Sequence, residues 1–212
     1  MISRISLILA VVVLVGCKTA SYSTMEQFGV EKREILVDRI GDAQKAQEEG
    51  QEQFQDALEQ FRSVVNFDGG ELERIYNRLN SEFEDTEEAA ARIRQRVEAV
   101  DTVAEDLFNE WEDELDDYTN QNLRRDSEQQ LRTTRNRYTQ LITAMRRAEQ
   151  SMDPVLDSLR DNVLYLRHNL NAIAVASLRG ELDAINNDVD RLLDAMNEAI
   201  AESNSFINEM RG

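Results

Sequence analysis

LERIYNRLNSEFEDTEEAAARIRQRVEAVDTVAEDLFNEWEDEL, residues 72–115, decides the fold. Within it Leu72, Tyr76, Leu79, Phe83, Thr86, Ala90, Ile93, Val97, Val100, Ala104, Leu107, Trp111 and Leu115 recur in alternating steps of four and three. A strand repeats every second residue, whereas steps of four and three hold one face of an α-helix against partner helices. The run lasts about six heptads, and a helix of about 47 residues makes a rod of roughly 70 Å. A rod with one long apolar face needs other helices to cover it. Trp111 falls in register with the seam, which favours a core anchor over a ligand-stacking residue.

The same stepping appears on both sides. Upstream, a helical pattern from about Thr24 to Val65 carries Phe28, Ile35, Leu36, Ile40, Ala43, Phe54, Ala57, Leu58, Phe61 and Val65. Gln47 and Gly50 occupy seam positions in its middle, and Gly41 lies near. An interior Gly costs about 1 kcal/mol against Ala. A polar, locally frayed layer is therefore expected there, the alternative being close approach of a neighbouring helix. Asn66-Phe67-Asp68-Gly69-Gly70 reads as a turn. It has no preceding strand and no Lys-Ser or Lys-Thr, which a phosphate-cradling loop would need. Downstream, Leu131, Tyr138, Leu141, Met145, Ala148, Met152, Val155, Leu159, Val163, Leu166, Leu170 and Ile173 keep register across Pro154. This predicts one kinked, continuous helix of about 48 residues rather than a reversal at the proline. The reversal is expected in Tyr165–Ala172. Residues 172–180 read equally as helix or connector. A last pattern runs through Leu182, Ile185, Val189, Leu192, Met196, Ile200 and Ile207 to about Met210.

Composition agrees with an all-α chain. A single Pro and eight Gly in 212 residues leave few helix breakers. Lys and Arg number 24 against 42 Asp and Glu, a net charge of −18. That excess disfavours nucleic acid, whose phosphates are bound by Lys and Arg. It also disfavours adhesion of the polypeptide itself to an anionic lipid surface.

Between Glu105 and Asp117 stand eight carboxylates and no basic residue. After a turn at about residues 119–122 come Arg124, Arg125, Arg132, Arg135 and Arg137. Each cluster opposes the dipole of its own helix end. The two make sense as an antiparallel hairpin that neutralises itself. The alternatives are a partner-docking surface and a divalent cation site on the carboxylates, though the calcium-loop pattern with its central Gly is missing. His168 is the only histidine and Cys17 the only cysteine, so no second His and no free Cys is available to complete a site, and neither a nucleophile elbow nor a Gly-rich phosphate loop is present. Capping or packing is the expected role of His168. No metal site, cofactor or catalytic residue is predicted, and the chain reads as a non-enzyme.

The beginning of the chain supplies an address. Arg4 followed by the apolar Ile5–Val15 is too short for a membrane span and fits a secretory signal. Leu14-Val15-Gly16-Cys17 resembles a bacterial lipobox. That resemblance implies cleavage before Cys17 and its lipidation with palmitate-type acyl chains. Lys18 rather than Asp follows, which points to the outer membrane, periplasmic face. Residues 1–16 are then the signal peptide, 17–24 a lipidated tether, and 25–212 a single helical coiled-coil domain.

Several stretches resemble one family of bacterial lipoproteins. They are Tyr22–Glu26, Lys32–Arg39, Asn66–Leu72, Asn122–Arg125, Pro154–Leu156 and Asp161–Leu166 leading into His168–Ala172. The family is domain of unknown function (DUF) family 2959. The resemblance covers essentially the whole mature chain and implies an envelope lipoprotein of coiled-coil helices, with no activity attached. The expectation is an antiparallel bundle of about four long coiled-coil helices. The lipid on Cys17 would hold it to the membrane, and it would bind an envelope protein partner or form a homo-oligomer. The alternatives are a periplasmic carrier or chaperone using the bundle groove, and a metal-dependent enzyme.

Overall fold

The computed structural model describes residues 32–67, 69 and 71–211. The expected signal peptide, Cys17 with its expected tether, and Phe28 lie outside the described residues. The described residues form four long helices and one short one: α1 Lys32–Val65, α2 Leu72–Glu114, α3 Gln121–His168, α4 Ala172–Leu178 and α5 Leu182–Arg211. α1 packs on α2 and α5, and α3 packs on the same two. The four long helices therefore form a square, running up, down, up and down. Cross-helix pairs confirm the antiparallel register: Arg135–Glu112, Arg94–Asp153 and Arg160–Glu87 climb α3 as they descend α2. The all-α bundle expected from the seam is the fold found.

The near end holds the start of α1, the α2–α3 turn and the end of α5. The far end holds the α1–α2 turn, the end of α3, α4 and the start of α5. Local chemistry sets the boundaries. Gly69 has φ 139°, a backbone region that a β-carbon would strain. At the near end a 3-10 turn, Leu115–Asp117, closes α2. The Asn120 side chain then accepts hydrogen bonds from the Asn122 and Leu123 amides and starts α3. At the far end Asn171 caps α4 in the same way through the Ile173 and Ala174 amides.

α3 runs 48 residues without a break at Pro154. The chain reverses after His168, as the unbroken stripe required. The α1 seam is buried along its full described length, from Leu36, Ile40 and Ala43 to Phe54, Ala57, Phe61 and Val64.

Several expectations are corrected. The middle of α1 is not frayed. Gln47 and Gly50 are fully buried in a continuous helix. Close approach explains the glycine: a β-carbon there would lie 2.6 Å from Ile93 Cδ1 and 3.6 Å from the Met196 methyl. Leu170 and Ile173 leave the α3 stripe and are exposed, because the helix ends at His168 and the phase is lost. In α5 the buried line runs Leu192, Met196, Ala199, Ser203, Phe206 and Met210 rather than through Ile200 and Ile207. Alanine and serine let the helices approach there, so the bulkier isoleucines sit at the edge of the seam.

Candidate functional site

At the near end the described surface opens into a cavity that is apolar on one side. The cavity, of about 590 Å³, lies between the ends of the four long helices. Leu107 and Trp111 of α2 and Phe206 and Met210 of α5 form its apolar side, Gln129, Gln130, Thr133 and Thr134 of α3 its polar side, and Arg33, Arg137 and Glu209 complete the lining. Trp111 is half-buried against the core and donates its indole N–H to Ser127 Oγ at 2.8 Å. The seam register thus gave its core contact, and the wall of the cavity is its second role. Behind the wall, the Tyr138 ring packs edge-on against Phe108 at 5.4 Å and Phe206 at 6.3 Å. The Tyr138 hydroxyl donates to Asp101 at 2.6 Å, and burial pushes its phenol pKa far upward. It is a fixed donor and not a titrating group. Phe108 escaped the sequence reading because it lies beside the four–three line, one position past Leu107.

The rim charges are engaged. Arg33 donates to the carbonyl of Met210 at the end of α5, where carbonyls lack helical partners. Arg137 lies 3.4 Å from Glu209. Arg135 grips Glu112 with two hydrogen bonds at 3.0 and 3.1 Å and sits over the Phe108 ring. That grip holds the Glu112 carboxyl below its ordinary range. Arg124–Asp116 closes the same hairpin at 2.9 Å. The expected neutralisation across the turn is therefore present at these two pairs. Arg132 instead pairs within α3 with Glu128, and Glu110 meets Lys32 of α1.

Other positions singled out from the sequence are scattered. His168 is exposed at the last position of α3, far from the cavity. Among the described residues, no three His, Cys, Asp or Glu side chains converge in a geometry that would hold a metal ion. No described helix is long and apolar enough to cross a membrane. The far end exposes apolar side chains: Leu164, Tyr165, Leu170 and above all Ile173, 79% exposed.

These features define an all-α, up-down four-helix bundle with a filled shaft, a cavity at one end and apolar side chains on the other. The family profile described as "Protein of unknown function (DUF2959)" matches residues 21–210, and the chain belongs to that family. No curated protein and no solved structure matches it.

Proposed function

We propose that the chain is an outer-membrane lipoprotein, anchored by acyl chains on Cys17 and facing the periplasm. Its bundle serves as a structural, protein-binding module without enzymatic activity. The reading is supported by how the two ends of the bundle differ. The chain leads into the bundle at the near end, so an anchor on Cys17 puts that end toward the membrane. α1, with 34 residues, then carries the exposed Leu170 and Ile173 outward by about 50 Å. Apolar side chains held out from a membrane suit contact with another envelope protein or a second copy.

The test is twofold. Cells fed an alkyne-bearing palmitate should label the wild-type protein and not Cys17→Ala, and the label should fractionate with outer membranes. Cross-linking in the same cells, read by mass spectrometry, should give one recurrent partner that Cys17→Ala with a cleavable signal loses. Equal labelling of both proteins sinks the anchor; absence of a recurrent partner sinks the binding role. A carrier function is the second reading, favoured by the near-end cavity alone. It requires that cavity to accept a free ligand.

A further inference from the structure

At the far end the short helix α4 turns Ala174, Val175 and Leu178 to the core and leaves Ile173 exposed. Leu164, Tyr165 and Leu170, in the last two turns of α3 and the link to α4, are exposed beside it in sequence. The charges of this end are of both signs, and most lack an ionic partner. Arg74 and Arg160 pair with Glu71 and Glu87. Arg62, Arg167 and Arg179 instead donate to neutral oxygens, those of Asn186, Tyr76 and Val65. Arg78 joins no ion pair among the described residues, and neither do Glu73, Asp161, Glu181 and Asp183. Four cations and four anions therefore stand without a partner of opposite charge.

A surface that meets its own copy across a two-fold axis has to complement itself. A patch of one sign cannot, and this chain carries −18 overall. An end that offers exposed apolar side chains with equal numbers of unpaired cations and anions can, because each copy presents what the other lacks. We propose that the far end is a self-association surface: the α3–α4 corner, Ile173 foremost, takes the same corner of a second copy. This rests on the protein-binding role proposed above and names the partner. The apolar side chains supply affinity and the charges set orientation. α4 has only seven residues, so the contact is small and weak between freely diffusing copies. Two copies held in one membrane by acyl chains meet at a far higher effective concentration.

The experiment co-expresses two full-length copies that carry different tags, each with a photo-cross-linking residue at Ile173. Light should give a product of twice the chain mass that both tags recover. A product joining one tag to a different envelope protein overturns the proposal and leaves the binding role standing. Lipid adducts alone, which give the corner to a membrane surface, or no product at all, remove both. Ile173→Cys supplies a second readout, since a residue close to a two-fold axis meets its own copy. It should form a disulfide-linked dimer in the cell envelope, and Glu48→Cys should not; the reverse result overturns the arrangement. Residues 17–212 with Cys17→Ser give the energetics by sedimentation equilibrium. Ile173→Asp should weaken self-association at least about tenfold and Ile173→Leu by no more than about threefold, at unchanged far-ultraviolet circular dichroism. A chain that is monomeric at every concentration, or one that both substitutions dissociate equally, also overturns it.

Discussion

A β-carbon added at Gly50 meets the end of Ile93 at 2.6 Å, whereas one at Gly41 meets nothing within 4 Å. The two glycines occupy the same helix, so helix propensity favours alanine at both by about 1 kcal/mol. Gly41→Ala should therefore raise stability by about 0.5–1 kcal/mol in urea unfolding. Gly50→Ala has to displace a fully packed neighbour, a strain of about 1–3 kcal/mol that offsets the propensity gain. It should end at least about 1 kcal/mol below Gly41→Ala, and Ile93→Val should recover part of the loss in the double variant. Equal effects at the two positions refute the close-approach account. One turn away, Gln47 is fully buried and neither its amide nitrogen nor its amide oxygen has a partner. The fully buried hydroxyls of Thr86 and Ser203 are each committed to a carbonyl of their own helix. An unsatisfied buried amide costs about 1–3 kcal/mol, so the near-isosteric Gln47→Met should stabilise by that order. Unchanged or lowered stability would show that the amide is satisfied in solution. Gln47 and Gly50 were recognisable in the sequence as seam positions. Their burial was not, because a polar residue and a glycine read as weakness until the opposing side chains are known.

At the scale of helices, the α2–α3 hairpin carries the pH dependence. Arg135 holds Glu112 below its ordinary value of 4.5. A carboxylate with a lowered folded pKa adds stability above the unfolded value and loses it as pH falls through the folded one. Arg135→Gln should therefore lower Tm at pH 7, by an amount that shrinks below about pH 4.5 and in high salt, since the pair is exposed. Glu149 has the opposite sign. Burial raises its pKa despite Arg94, so its charged form is disfavoured in the fold. The contribution it makes below pH 4.5 is lost as pH rises through the folded value. Glu149→Gln should raise Tm at pH 7 and leave it unchanged at pH 4. A Tm difference that does not vary with pH would remove either assignment. The helices themselves were legible because the seams are long: α1 and α3 follow the four–three steps residue by residue, and Asn120 and Asn171 mark two starts. α5 was harder. Its seam uses Ala199 and Ser203, and hydrophobicity drew the line through Ile200 and Ile207 instead. The cavity left no local signal, since its lining is assembled from the ends of four helices, and the apolar residues of α2 and α5 that meet there are about a hundred positions apart.

Over the whole molecule, the charge is unevenly placed. Residues 62–80 and 160–183, which build the far end, hold six Arg and six Asp or Glu. The entire net charge of −18 therefore belongs to the rest of the chain. Side-by-side approach of two shafts, or of a shaft and an anionic headgroup layer, meets like-charge repulsion. The far end escapes it, and Ile173 stands there 79% exposed. Contact with a partner should accordingly be end-on. A photo-cross-linking residue at Ile173 should capture a discrete protein in cells, while the same residue at the exposed shaft position Glu48 should not. Ile173→Asp should abolish the contact but move Tm little, because an exposed side chain contributes within about 0.5 kcal/mol to folding. Raising ionic strength discriminates further. It relieves shaft repulsion without strengthening an apolar tip through charge, so capture at Glu48 that appears only in high salt marks non-specific packing. Capture at Ile173 that persists across salt marks the apolar contact. Discrete cross-links from Glu48 at physiological salt, with none from Ile173, would place the interaction on the acidic shaft and defeat the end-on arrangement.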